Sequence, residues 1–322
     1  MSKSSILNPS SSIPKVSVIM PVERIGGDAE RAIASVLAQH ASLAQEAPFG
    51  FELIVVSAQP LEMPEETRSR NVVEGNRNPA TRRNRGVSVA RGEILAFLDD
   101  DAIADPHWLA TACAYLDQHP GTLALGGPDP APPDSTIAEL ISDTLLATPW
   151  IGSGVAAHEN RRGIFAVQHA SDIALVNLFV RRDAFTGFDE SIGYIGEDTA
   201  LLQTLMQRGS VIYHDAVRVF HRRRAFPGPY LRQRWRYRVK TGRMFASGAR
   251  RDPRVSAFLV AGFIGLLFAP VLAIPYALAT FILGARVTRL PLRWWPVIPF
   301  AFAAHHLTYW IGLVTGLVSS RK

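Results

Sequence analysis

A single cysteine, Cys113, in a chain of 322 residues excludes an internal disulfide and a cysteine-rich zinc module, and it fits a reducing compartment. Acidic residues nearly vanish from the C-terminal third. Residues 221–322 hold 17 Lys/Arg and the lone Asp252, whereas residues 1–220 hold 17 Lys/Arg and 27 Asp/Glu, so net charges of +16 and −10 sit in the two parts. That asymmetry points to an acidic soluble part joined to a basic part that meets phosphate, nucleic acid or anionic lipid. There is no internal repeat, and low complexity is confined to the Ser-rich start and a proline-rich stretch at 128–134, read as a rigid connection. The first fifteen residues have no apolar core, so no signal peptide is expected. With 48% hydrophobic and 19% charged residues and a mean hydropathy of +0.10, the chain is neither disordered nor collagenous and leans toward a membrane class.

Two long apolar runs dominate the end of the chain. Residues 255–285 carry no charge, and residues 296–318 have only His305 and His306 as titratable groups. Both exceed the ~20 residues a helix needs to cross the hydrocarbon core. A pair of buried soluble helices is the plainer alternative. Pro270 and Pro275 either kink one span or break the first run into a hairpin, which leaves two crossings or a hairpin plus one. Twelve Lys/Arg between Arg222 and Arg254, against three in the connection at 286–293, place the first 254 residues on the cytoplasmic side of a cell (inner) membrane in a multi-pass arrangement. A helix drawn through 230–245 would gather Arg232, Arg236, Lys240 and Arg243 on one arc, the pattern of a helix on an anionic membrane surface. Arg234 and Arg238 fall among its apolar residues, facing protein, where they could reach a donor diphosphate or an acceptor phosphate.

Between residues 15 and 221 short β-rich runs alternate with helical patterns, the rhythm of an α/β domain with a largely parallel sheet. Strands are expected at 16–20, 51–56, 94–98 and 217–220. Helix starts are expected at Asp28, at Asn78-Pro79 and at Asp105-Pro106. Open α/β sheets bind ligands beyond the carboxyl ends of their strands, so the loops after Met20, Val56 and Leu98 should line a site.

The strongest chemical signal is Asp99-Asp100-Asp101 directly after an apolar strand. Three adjacent acids need solvent or a cation, and such a set suits Mg²⁺ or Mn²⁺ with a substrate phosphate, the plain alternative being a solvated acidic turn. A second signal is Glu197-Asp198, opening a helical run. Two acids there are either a charged first turn or a general base near the acidic strand end.

Taken in order, Val18-Ile19-Met20-Pro21-Val22, the strand at 51–56, Arg83-Asn84-Arg85-Gly86, the segment from Gly92 to Asp101, Gly187-Phe188-Asp189-Glu190, Gly196-Glu197-Asp198 and Val219-Phe220-His221 resemble family 2 glycosyltransferases over about residues 15–240. The resemblance implies a GT-A fold: a mixed, mainly parallel Rossmann-like sheet, here followed by transmembrane helices. It implies a nucleotide-diphosphate sugar donor, Mn²⁺ or Mg²⁺, and inversion at the anomeric carbon. Pro21, Val22, Glu23 and Ser57 would hold base and ribose, Arg83 would approach the nucleotide, and Asp99 and Asp100 would belong to the donor site. Asp101 would bind the metal as the last acid of a DXD motif, with His221 completing its shell. Asp198 would be the catalytic base, with Glu197 as the substitute. Ser57 stands where many members carry an aspartate, which leaves the nucleotide open. Arg234-Trp235, with Arg238 as a further phosphate contact, is similar to the end of a motif of polymerising members, but Leu231 replaces its Gln, so transfer of a single sugar is expected.

The domain organisation expected is a flexible start at 1–14, a GT-A domain at 15–228, a basic amphipathic segment at 229–254 and a membrane region at 255–322. The function expected is transfer of a sugar to a membrane-associated acceptor, a polyprenyl-linked saccharide or glycolipid, in glycan or exopolysaccharide assembly. Two alternatives compete with it. A sugar-phosphate nucleotidyltransferase would want a Gly-rich phosphate loop, for which Gly26-Gly27 is thin. A membrane-anchored nucleic-acid-binding protein would want a nucleic-acid fold motif, which is missing, so no nucleic-acid partner is expected.

Overall fold

The computed structural model describes residues 14–39, 50–63, 68–149, 151, 162–192, 196–248 and 253–319. The chain divides into two compact units, Met1–Pro130 with Arg161–His221, and Ala131–Asn160 with Arg222–Lys322.

In the first unit, runs of apolar residues too short for helices form strands buried on both faces, the mark of a sheet covered on both sides. Strand β1 (Val16–Val22) pairs in parallel with β2 (Phe51–Ser57), and β2 pairs in parallel with β3 (Ser69–Val73). Helices α1 (Gly27–Leu37) and α2 (Pro79–Val89) supply crossovers, and β4 (Ile94–Phe97) pairs in parallel with the other edge of β1. The chain continues through β5 (Ala102–Ala104), α3 (Trp108–Gln118), β6 (Thr122–Gly126) and, in the second unit, α4 (Ile137–Ala147). It returns as β7 (Ile164–Ala166), β8 (Leu178–Arg181), α5 (Glu197–Arg208), β9 (Ser210–His214) and β10 (Val219–His221). The eight-stranded sheet has the order β3-β2-β1-β4-β8-β6-β9-β7, and β8 and β7 run antiparallel to their neighbours. Strands β5 and β10 form a separate antiparallel pair.

Alternation along β1 divides its side chains between two cores. Val18 and Met20 join Leu98, Trp108 and Phe179 on one face, and Ile19 joins Phe97, Leu202 and Tyr213 on the other. Gly86 lets α2 settle on the second face, since a Cβ there would stand 2.6 Å from Ile19 Cγ2.

The expected helix starts hold in one case and shift in two. Asn78 accepts from the Ala80 N–H with Pro79 in the first turn, as expected. Helix α1 begins at Gly27, which puts Asp28 inside its first turn, paired with Arg31. Asp105 instead makes a turn that accepts from the His107 N–H at 3.1 Å, and α3 starts at Trp108.

The second unit is helical: α4, α6 (Gly228–Ala246), α7 (Pro253–Leu267), α8 (Ala269–Ala285) and α9 (Val297–Ser319). Thr136 and Glu139 close a capping box at the start of α4. Ile141 and Leu145 of α4 pack with Tyr230, Ile298 and Phe302. Asp143 accepts from Arg223 at 3.3 Å and from Arg289 at 2.8 Å. Among the described residues α9 is the one helix long and apolar enough to cross a membrane by itself, whereas α7 and α8 meet at a bend of 117°.

Candidate active site

The carboxyl ends of β1, β2 and β4 and the start of α5 bring together most of the residues that the sequence singles out. The acidic triplet follows β4 in a tight turn, closed by the Ala102 N–H donating to the Asp99 carbonyl at 3.2 Å. Each acid then takes a different partner.

Asp99 accepts from Arg83 Nη2 at 2.7 Å, and the same guanidinium reaches Glu197 Oε1 through Nη1 at 3.2 Å. Arg83 and Glu197 are buried, and Asp99 is a third exposed. One arginine thus ties the end of β4 to the first turn of α5 by charge-assisted bonds. Burial raises the Glu197 carboxyl above its ordinary value, outweighing the opposing pull of its backbone N–H and Arg83. Asp198, the next residue, is partly exposed. Its Oδ1 accepts from the Thr199 N–H at 2.6 Å, and its Oδ2 has no partner among the described residues.

Asp100 accepts from the Glu23 N–H at 3.3 Å, so the loop that continues from Pro21 and Val22 comes down on the acidic turn. Burial, with Asp101 and Asp99 adding repulsion, pushes the Asp100 carboxyl up to about 6. A cation beside the triplet would relieve that strain.

Asp101 meets His221 through strand pairing. Register in the β5–β10 ladder sets His221 opposite Ala102, and His221 Nε2 lies 3.2 Å from Asp101 Oδ1. The other ring nitrogen, Nδ1, lies 3.2 Å from Asp129 Oδ2, a buried carboxylate. The Asp129 loop is itself pinned, because buried Asn177 donates to the Pro128 and Val217 carbonyls at 3.1 and 2.7 Å and accepts from Trp108 Nε1 at 2.8 Å. Asp101 and His221 offer one oxygen and one imidazole nitrogen, donors that suit Mn²⁺ or Mg²⁺, and a carboxylate behind the histidine fixes its tautomer. Among the described residues no three such groups converge. The pair therefore fits an ion that draws its remaining ligands from a substrate diphosphate and water.

Ser57 is placed differently from a base contact. It is buried, its hydroxyl donating to the Gln59 carbonyl at 2.6 Å and accepting from Asn71 Nδ2 at 2.7 Å, so it shapes the loop after β2. Arg234, Trp235 and Arg238 lie on α6 in the second unit. There the Arg234 guanidinium stacks 5.0 Å from the Tyr237 ring centre, Arg238 lies 3.5 Å from that of Tyr309, and Trp235 is exposed.

Asn84, a middle residue of the Arg83–Gly86 motif, latches the Gly187–Glu190 motif: it donates to the Phe188 carbonyl at 2.8 Å and to Glu190 at 2.9 Å, and accepts from the Phe188 N–H at 2.9 Å. Asp129 and Asn71 were not singled out from sequence. The Pro-Asp-Pro setting of Asp129, a carboxylate where a loop has no need of one, was the available signal; a mid-strand asparagine such as Asn71 gave none.

The model named Glycosyl transferase family 2 matches residues 17–177, half of the chain. The glucosyl-dolichyl phosphate glucuronosyltransferase of Haloferax volcanii is 35% identical over 52 residues, which are 16% of this chain and 17% of that enzyme, so the match spans about a sixth of its length. Among solved structures, the mannosyltransferase PcManGT of Pyrobaculum calidifontis, in complex with GDP-Man and Mn²⁺, aligns with a TM-score of 0.50 at 17% identity over 93% of this chain and 88% of that one. Residues 1–349 of S. aureus TarS align with a TM-score of 0.44 at 13% identity over 94% and 90%. The mixed, mainly parallel sheet is that of the GT-A fold.

Proposed function

We propose how this chain, which belongs to glycosyl transferase family 2 and is a glycosyltransferase, carries out its reaction: it moves a single sugar from a nucleotide-diphosphate donor to a membrane-associated acceptor, with inversion at the anomeric carbon. The observation that supports this reading is the meeting of Arg83, Asp99, Asp101, His221 and the Glu197-Asp198 pair around the carboxyl end of the sheet. Mn²⁺ in the PcManGT complex agrees with a divalent ion here, held by Asp101 and His221. Such an ion, when bound, stabilises the charge that develops on a departing diphosphate.

The residues of the chain divide the remaining work. Glu197 is committed to Arg83, so it positions the first turn of α5 and leaves Asp198 as the base. The Asp198 carboxylate takes the proton of the acceptor hydroxyl as that oxygen attacks the anomeric carbon. The bond from that carbon to the diphosphate oxygen breaks on the opposite face, and its electron pair leaves with the diphosphate. Arg83 holds Asp99 at the donor, and the loop of Pro21, Val22 and Glu23, fixed by Asp100, forms the wall for base and ribose.

The acceptor is a polyprenyl-linked saccharide or glycolipid at the cytoplasmic face of a cell membrane, in glycan or exopolysaccharide assembly. The relative that acts on glucosyl-dolichyl phosphate supports it, as do the apolar helices and the basic residues Arg234 and Arg238 of the second unit. Transfer of radiolabelled sugar to a polyprenyl-phosphate-linked acceptor tests the reading. Asp198→Asn should lower turnover at least about a hundredfold in folded protein. Full turnover with that variant, or with a soluble sugar in place of the lipid, contradicts the base or the acceptor respectively.

A further inference from the structure

Helices α6 and α9 lie side by side and run in the same direction. Tyr230 hydrogen-bonds His305 at 2.9 Å, Arg238 stacks on Tyr309, and Arg243 Nε donates to Ser319 at 3.1 Å, so matched positions advance together along both helices. Three glycines permit the approach: a Cβ on Gly312 would stand 2.8 Å from Arg238 Cβ, one on Gly316 would stand 2.9 Å from Gly242 Cα, and one on Gly242 would stand 3.0 Å from Gly316 Cα. Small residues spaced in this way bring two backbones together.

This packing bears on how the chain meets a membrane. The 23 residues of α9 reach about 34 Å, barely more than a hydrocarbon core of about 30 Å, so a crossing would use nearly all of the helix. Helix α6 accompanies α9 from His305 to Ser319. A crossing would therefore carry Arg232 and Arg236, both exposed on α6, into the middle of the hydrocarbon. Guanidinium groups there are strongly disfavoured unless they reach water or a partner.

The exposed apolar surface has another shape. On α9 the buried stripe of Ile298, Phe302, His305 and Leu313 is backed by an exposed stripe of Phe300, Leu307, Ile311 and Val318. That stripe gives α9 an apolar surface on the side away from α6, available to lipid. Helices α7 and α8, of 15 and 17 residues, reach about 22 and 26 Å, and each falls short of a crossing. They meet at 117°, with Leu267, Val271 and Ile274 exposed by 64, 74 and 73% near the bend. At the bend the Phe268 N–H donates to Ile264, and the Phe268 carbonyl accepts from Val271 and Leu272. Exposed apolar side chains on both arms of the bend form a surface that a lipid leaflet can take up.

We propose that the second unit is monotopic: the α7–α8 bend enters one leaflet, α9 lies along the interface on its Phe300–Val318 stripe, and the arginines of α6 meet anionic phospholipid headgroups, with no segment from α7 to α9 crossing the bilayer. The proposal rests on the membrane association put forward above and departs from the multi-pass arrangement that hydropathy alone predicts. Charge complementarity selects the occupant, since the α6 arginines accompany the apolar face within the same unit.

Side-specific labelling decides it. Buried Cys113 gives little background, so Leu292→Cys and Ser319→Cys, at the two ends of α9, are each expressed in the full chain in a bacterial host and treated with a membrane-impermeant maleimide. Both should label in inverted inner-membrane vesicles and neither on spheroplasts. Labelling of either position on spheroplasts overturns the monotopic arrangement while leaving membrane association intact: Leu292→Cys alone marks two crossings, and Ser319→Cys alone marks a hairpin plus one. Sedimentation with phosphatidylglycerol–phosphatidylcholine vesicles separates the two failures. Leu267→Asp combined with Val271→Asp should lower the bound fraction at least tenfold at unchanged helix content. Wild-type protein that stays in the supernatant, as monomer or oligomer, defeats association itself.

Discussion

His221 faces Asp101 across 3.2 Å only because β10 and β5 pair in the register that sets His221 opposite Ala102. Two side chains separated by 120 positions in the chain are thus brought together by three residues of ladder, and the ring is oriented by Asp129 behind it.

Asp129 is accordingly predicted to tune metal affinity without touching the metal. Asp129→Asn should weaken Mn²⁺ binding by about 10- to 100-fold in the presence of a nucleoside diphosphate, as loss of a carboxylate behind a ligating histidine does elsewhere. Electron paramagnetic resonance of free Mn²⁺ reads this directly. An affinity equal to that of the wild type would remove Asp129 from the site.

Arg83 joins two carboxylates, so its loss leaves Glu197 buried without its cation. Arg83→Ala should cost about 3 kcal/mol in urea denaturation at neutral pH. Arg83→Lys should recover only part of this, because a single ammonium lacks the planar fork that spans Asp99 and Glu197. Equal stability of the two variants would contradict the bridge.

Glu197 also gives a pH dependence with a definite sign. Its folded carboxyl titrates above the ordinary value of 4.5, so the folded chain keeps a proton that the unfolded chain releases. Stability contributed by that proton is present below 4.5 and declines as pH rises through the raised value. Denaturation curves from pH 4 to 8 should show the wild type losing stability relative to Glu197→Gln across that window. A gain with rising pH contradicts the assignment.

Asn84 closes the loop of Gly187 to Glu190 against α2 through three hydrogen bonds. Asn84→Ala should cost about 2 kcal/mol by leaving the Phe188 backbone groups unmatched. Limited proteolysis should then cut within that loop. A cleavage pattern like that of the wild type would show that the latch is not needed.

Much of this could be read from the sequence because the strands that position the site are mostly apolar, interrupted only by single polar residues such as Ser17 in β1 and Glu52 in β2. Strand β1 extends the expected 16–20 by two residues and β2 the expected 51–56 by one, while β4 ends one residue before Leu98. Strand β10 starts two residues later than expected and ends on His221. The Asn78-Pro79 signal worked because cap and first-turn proline act locally. Asp105-Pro106 misplaced its helix because the same dipeptide also makes a turn. What could not be read is long-range: β3 and β6 to β9 are short, or partly polar like β3, and gain their identity from neighbours. Asp129 and Asn71 acquire roles only when a loop or a neighbouring strand arrives. Ser57 looked like a ligand position, yet Gln59 and Asn71 already occupy its hydroxyl.

Asp101 and His221 are predicted to hold a divalent ion at a nucleotide-sugar site. Calorimetry of UDP-, GDP- and dTDP-sugars with detergent-purified protein, with and without Mn²⁺, tests it most directly. One donor should bind only with Mn²⁺, and Asp101→Ala and His221→Ala should abolish the dependence. Donor binding of equal strength without the metal, or Mn²⁺-dependent binding that survives both substitutions, would contradict it.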